Sequence, residues 1–175
     1  AVAGSAAGVL LGVVLPVGGR TAGAVLLAAR AQAARLARWR GLRTLADPLV
    51  LILHVGFAWV PLGLLLLGVS ILTPDVPQSA AIHALTSGAM ASMILAVMTR
   101  ATLGHTAREL RADGVTKLLY LLVTLGAATR VAAPLEVAHY TVLMQASALL
   151  WGGAFLLFLI RYGPILFAPR LGESR

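Results

Sequence analysis

Long apolar runs, separated by short polar breaks, fill almost the whole chain. A helix that crosses a bilayer needs about 20 mostly apolar residues. At that length the pattern predicts about six spans, near residues 1–17, 21–37, 48–72, 80–103, 115–133 and 137–160. The breaks are Gly18-Gly19-Arg20, a basic segment around Trp39 to Arg43, a loop with two prolines from Thr73 to Pro77, and a polar stretch from His105 to Asp113. A basic tail begins at Arg161. The second run is the least apolar, because Arg30 and Arg35 fall inside it. Strands of a membrane barrel would alternate apolar and polar residues over about 10 positions, and no such alternation is present. The expected fold is all-α: a polytopic transmembrane helical bundle forming one domain.

Composition supports this reading. Of 175 residues, 59% are hydrophobic and 11% charged, whereas a soluble domain carries about 25% charged residues. The 18 glycines and many alanines suit helices that pack closely in lipid. Gly88, Ser92 and Ala96 make one ladder of small residues and predict a tight helix contact there. Pro61 inside the third run predicts a kink. The absence of cysteine excludes disulfides, thiolate metal sites, iron–sulfur clusters and covalent haem attachment. The chain starts AVAGSAAG without Met and without a basic leader segment, which suggests a piece of a longer protein.

The net charge of +8 resembles a nucleic-acid signal until the charges are placed. Arg35, Arg38, Arg40 and Arg43 share one predicted face with Arg108, Arg111 and Lys117, and with Arg161, Arg170 and Arg175. The other face holds only Arg20 and Arg130. Basic loops stay in the cytoplasm, so both ends of the chain are expected there and no nucleic acid is expected as a partner. The partner implied is the lipid bilayer.

Candidate chemistry rests on four histidines, His54, His83, His105 and His139. Ionisable groups within a membrane are costly and mark function, and neutral imidazole is the commonest metal ligand. A helix–helix hydrogen bond is the plain alternative for any one of them. His83 and His139 start spans on the outer side and could meet. His105 ends the fourth span on the cytoplasmic side. His54 sits ~9 Å in from that side, at 1.5 Å rise per residue, so these two could also meet. On a helical wheel His83, Ser87, Met90, Ile94, Ala101 and His105 fall within ~40° of one line. Met90 is a weaker metal candidate, since its thioether suits Cu(I) but more often fills space. Arg100 could snorkel or pair with an anion such as a haem propionate. Arg130 and Glu136 read as a local ion pair. No Walker, GxSxG or HExxH motif is present, nor a pair of intramembrane carboxylates.

The stretch HALTSGAMASMILAVMTRATLGHT, His83 to Thr106, resembles the signature of the NnrS family. DPLVLILHVGFAWVPLGLLLLG, ARWRGLRT and WGGAFLLFLIRYGPILFAPR extend the likeness over roughly residues 35–170. The resemblance implies a multi-pass bacterial inner-membrane protein, of which this chain is the C-terminal half. It also implies haem and copper as cofactors, and a part in nitric oxide response and relief of nitrosative stress in denitrification. It carries His54, His83, His105 and Arg100 over as motif positions. His139 lies outside the matched motifs and rests on the placement argued above. Nitric oxide is the small-molecule ligand implied. The alternative is a transporter for a metal or small solute with a His-lined path. A homo-oligomer and a passive respiratory-complex partner are also open, and the residues do not say whether the protein is an enzyme.

Overall fold

The computed structural model describes residues 18–39 and 41–171. The predicted span at 1–17 lies outside them. Among the described residues the chain is all-helical. Five long helices occur: α1 (Gly19–Arg38), α2 (Pro48–Leu72), α3 (Gln78–His105), α4 (Gly114–Ala132) and α5 (Tyr140–Phe167). Four segments, α2, α3, α4 and Val137–Phe167, are long and apolar enough to cross a membrane. Helix α1 is not among them, because Arg20, Arg30, Arg35 and Arg38 interrupt its apolar positions. It packs Val25, Ala28 and Ala29 against Leu64 and Leu67 of α2 instead.

The helix starts follow local chemistry. The Asp47 carboxylate accepts from Leu49 N–H at 3.0 Å, and Pro48 occupies the first turn of α2, where its missing N–H costs nothing. Asp113 caps α4 in the same way, accepting from Thr116 N–H at 2.8 Å. Pro61 lies inside α2, which continues to Leu72. Helix α3 closes with the pattern that usually needs glycine. The Arg108 N–H donates to the Leu103 carbonyl (2.9 Å), and the Ala107 N–H to the Gly104 carbonyl (3.2 Å). Ala107 takes the left-handed conformation, φ 55°.

The main core joins α2, α3, α4 and α5 through Leu49, Ile52, Leu95, Leu119, Val123 and Phe158. The expected small-residue ladder is a packed contact. Gly88, Ser92 and Ala96 are buried, and a Cβ on Gly88 would lie 2.6 Å from the Trp59 ring of α2. Between α4 and α5 the backbones approach so closely that a Cβ on Gly126 would lie 2.9 Å from Trp151 N. Buried hydroxyls tie helices together: Thr99 with Tyr120, Thr116 with Tyr162 at 2.7 Å, and Ser147 donating to the Gly126 carbonyl at 2.7 Å. Much of the outer surface is apolar, including Leu121, Leu149, Leu156 and Leu159, which fits lipid rather than water as the solvent.

One boundary is corrected. The sequence reading ends the last span near residue 160 and places Arg161 in a tail. Helix α5 instead runs to Phe167. The Arg161 guanidinium stays within it because Nε donates to Asp113 Oδ2 at 2.7 Å, so its charge is paired rather than left in the helix unbalanced.

Candidate functional site

The largest change to the helical-wheel picture is in α3. Residues Ala84–Met90 form a π-helical segment. Single wide turns of this kind are rare and gather at functional sites. The hydroxyls of Thr86 and Ser87 donate back to the carbonyls of Ile82 and His83, both at 2.7 Å. Such back-bonding supports a locally altered helix. The wheel at 100° per residue therefore does not carry unbroken from His83 to His105.

The π segment forms one wall of a cleft of about 540 Å³. Helix α3 contributes His83, Thr86, Ser87, Met90, Ala91 and Ile94, α4 contributes Arg130, and α5 contributes Ser147, Ala148, Trp151 and Phe155. Four members of the sequence-derived stripe, His83, Ser87, Met90 and Ile94, thus line one space, while Ala101 and His105 do not. The walls are mainly apolar, with one imidazole, one thioether and one guanidinium. Trp151 also lines the cleft, and its Nε1 is buried without a hydrogen-bond partner.

Arg130 is the residue that the sequence reading misassigned. Its expected partner, Glu136, lies 3.6 Å from His139 instead, while Arg130 lines the cleft with His83. Its position near the end of an apolar run gave a clue to location but none to direction. Arg100, the sequence choice for an anion partner, is exposed on α3 and is not part of this cleft.

The other histidines are elsewhere. His139 is exposed in the short turn Val137–His139, and it is not in the cleft that holds His83. His105 is exposed at the end of α3. His54 is half-buried in α2, and its Nδ1 lies 3.1 Å from the Val50 carbonyl. A carbonyl only accepts, so Nδ1 carries the proton and the Nε2 lone pair is left available, the state that a metal ligand needs. Trp39 meets this ring edge-on at 5.8 Å, and its other ring contact is with Phe57, tilted at 4.7 Å. The Arg35 guanidinium lies over both Trp39 (5.2 Å) and Phe57 (5.6 Å). A Cβ on Gly41 would come within 2.9 Å of the His54 ring. Among the described residues no three His, Asp or Glu side chains gather closely enough to hold a metal ion.

A comparison with protein families matches residues 1–170 to the family described as NnrS protein. No curated protein and no solved structure matches the chain.

Proposed function

The chain belongs to the NnrS family, and from that premise we propose that it is a multi-pass inner-membrane protein that binds haem and copper and serves the response to nitric oxide. The observation that carries this reading is the cleft in which His83, Met90 and Arg130 face one apolar space.

The donor set fits a haem. One imidazole provides an axial ligand, Arg130 provides a cation for a carboxylate, and Phe155, Ile94 and Ala148 provide apolar walls. A volume of about 540 Å³ is within the ~300–1,000 Å³ of ordinary ligand pockets. A haem bound there would supply an iron with an axial position for nitric oxide. The protein's own part is to orient His83 through the π segment and to exclude water. It also keeps Arg130 where a carboxylate can meet it.

Copper fits less fully. His83 and Met90 are an imidazole and a soft thioether, a pair suited to Cu(I), but no second histidine and no carboxylate lines the cleft with them among the described residues. His54, whose Nδ1 meets the Val50 carbonyl, is the candidate for a second centre, outside the His83 cleft. The orientation with basic loops and both chain ends in the cytoplasm belongs to this proposal, as does the count of six spans.

The test is an absorption spectrum with metal analysis of the full-length protein, repeated for His83→Ala, His54→Ala and His105→Ala. A Soret band and bound copper are expected in the unaltered protein. His83→Ala should lose most of the Soret band, while His105→Ala should keep it. No Soret band and no copper in the unaltered protein would overturn the reading. Solute flux into proteoliposomes by haem-free protein would favour a transporter instead.

A further inference from the structure

A second cleft, of about 600 Å³, opens at the end of the bundle where α3 closes and α4 starts. Arg108, Arg111, Lys117 and Arg161 line it together with Glu109 and Asp113. Four cations face two carboxylates, and Asp113 is already occupied by Arg161 and Thr116. Arg108 is held at this point by the left-handed turn at Ala107, and its Nη1 is buried with no hydrogen-bond partner. A buried guanidinium N–H without a partner costs stability unless an acceptor meets it. Among the described residues Arg108, Arg111 and Lys117 have no ion pair, so the cleft that they line suits an anion.

The neighbouring groove tells which kind. An apolar channel of about 460 Å³ shares Arg108, Arg161 and Ile165 with the basic cleft. It continues along α5 past Pro164 and Ile160 to Leu157, with Val115 of α4 opposite. Leu157 lies further from the end of α5 than Arg161, so the groove leads from the polar end into the apolar part of the bundle. A charged pocket continuous with an apolar groove matches a molecule with a phosphate head and a hydrocarbon tail. Basic pockets between membrane helices are where anionic headgroups bind.

We propose that this site binds an anionic phospholipid of the surrounding leaflet, its phosphate on Arg108 with Arg111 and Lys117, and one acyl chain along Leu157, Ile160 and Pro164. The site is separate from the His83 cleft and does not depend on the haem reading.

The test uses the full-length protein, delipidated in detergent and titrated with dioleoylphosphatidylglycerol or dioleoylphosphatidylcholine, with bound lipid read by native mass spectrometry. The anionic lipid should bind saturably and the zwitterionic lipid about tenfold more weakly. Arg108→Gln should weaken the anionic lipid by about tenfold, the effect of losing one charge-assisted hydrogen bond. Arg108→Lys should recover part of the affinity and shows that a weak variant is not simply misfolded. Arg43→Gln, a cation outside the cleft, should change nothing. Glycerol phosphate, a head without tails, should displace the lipid only at far higher concentration. Equal binding of the two lipids, or full binding by Arg108→Gln, would overturn the proposal. Displacement by glycerol phosphate at lipid-like concentrations would also overturn it, in favour of a free-phosphate site. Loss of haem from Arg108→Gln with lipid binding unchanged would overturn it as well, and would assign the cleft to a haem carboxylate.

Discussion

The α-carbon of Gly126 in α4 faces the backbone of Trp151 in α5 so closely that a Cβ there would lie 2.9 Å from Trp151 N. The same two helices are joined by the Ser147 hydroxyl, which donates to the Gly126 carbonyl at 2.7 Å. Small residues at such crossings let backbones approach and bond, which is how helices associate where lipid gives no hydrophobic drive. Trp151 is also a wall of the His83 cleft, so the helix contact and the site are mechanically joined.

Gly126→Ala should therefore destabilise the protein by about 1–3 kcal/mol, the usual cost of overpacking. Thermal unfolding in detergent would show a lowered midpoint. Because Trp151 must move, the proposed haem site predicts that haem retention falls too. An unchanged midpoint would mean that the contact is looser than the geometry indicates.

Arg130 lines the His83 cleft and Arg100 does not, so the two arginines give opposite expectations under the proposed haem reading. On the proposed haem reading, Arg130→Leu should lower haem retention several-fold while leaving the helix content by circular dichroism intact. Arg100→Leu should leave haem retention unchanged. The reverse pattern would restore Arg100 as the anion partner.

Ala107 offers a stabilising change. Its φ of 55° costs an L-residue about 1–2 kcal/mol relative to the right-handed form, and glycine avoids that strain. After the greater freedom of glycine in the unfolded chain is subtracted, Ala107→Gly should stabilise by about 0.5–1 kcal/mol. A raised unfolding midpoint is the readout, and a lowered one would contradict the argument.

Asp113 sets a pH dependence. Burial pushes its carboxyl up, but hydrogen bonds from the Thr116 hydroxyl and N–H, followed by the Arg161 guanidinium, outweigh this and hold it at about 2, below the ordinary 3.8. A carboxyl whose folded pKa is depressed stabilises the fold above its unfolded pKa and loses that contribution as pH falls through the folded one. Stability should thus drop between roughly pH 4 and pH 2. Asp113→Asn should be less stable at neutral pH and flatter across that window. An identical acid profile in the variant would assign the dependence to another group.

Much of the fold was legible because a membrane helix announces itself by length and hydropathy. The runs at 48–72, 80–103 and 115–133 match α2, α3 and α4 within about two residues, since lipid allows no exposed backbone and forces each long apolar run to close its own hydrogen bonds. The end of α5 was not legible in this way. A charge at Arg161 looks like the end of a span until Asp113, 48 residues away in sequence, is seen to neutralise it.

The site divides along the same line. The sequence by itself determined the solvent of the chain, the helical class, the alternation of basic and neutral loops and the NnrS signature, because each depends on residues near one another along the chain. Only the tertiary structure decided which polar groups meet. It put His83, Met90 and Arg130 around one cleft, left His105 and His139 exposed, and kept Arg100 outside that cleft. The physical reason is that a constant 100° step cannot anticipate a π segment within α3. Nor can it anticipate the α4–α5 approach at Gly126, which depends on backbone packing between two helices.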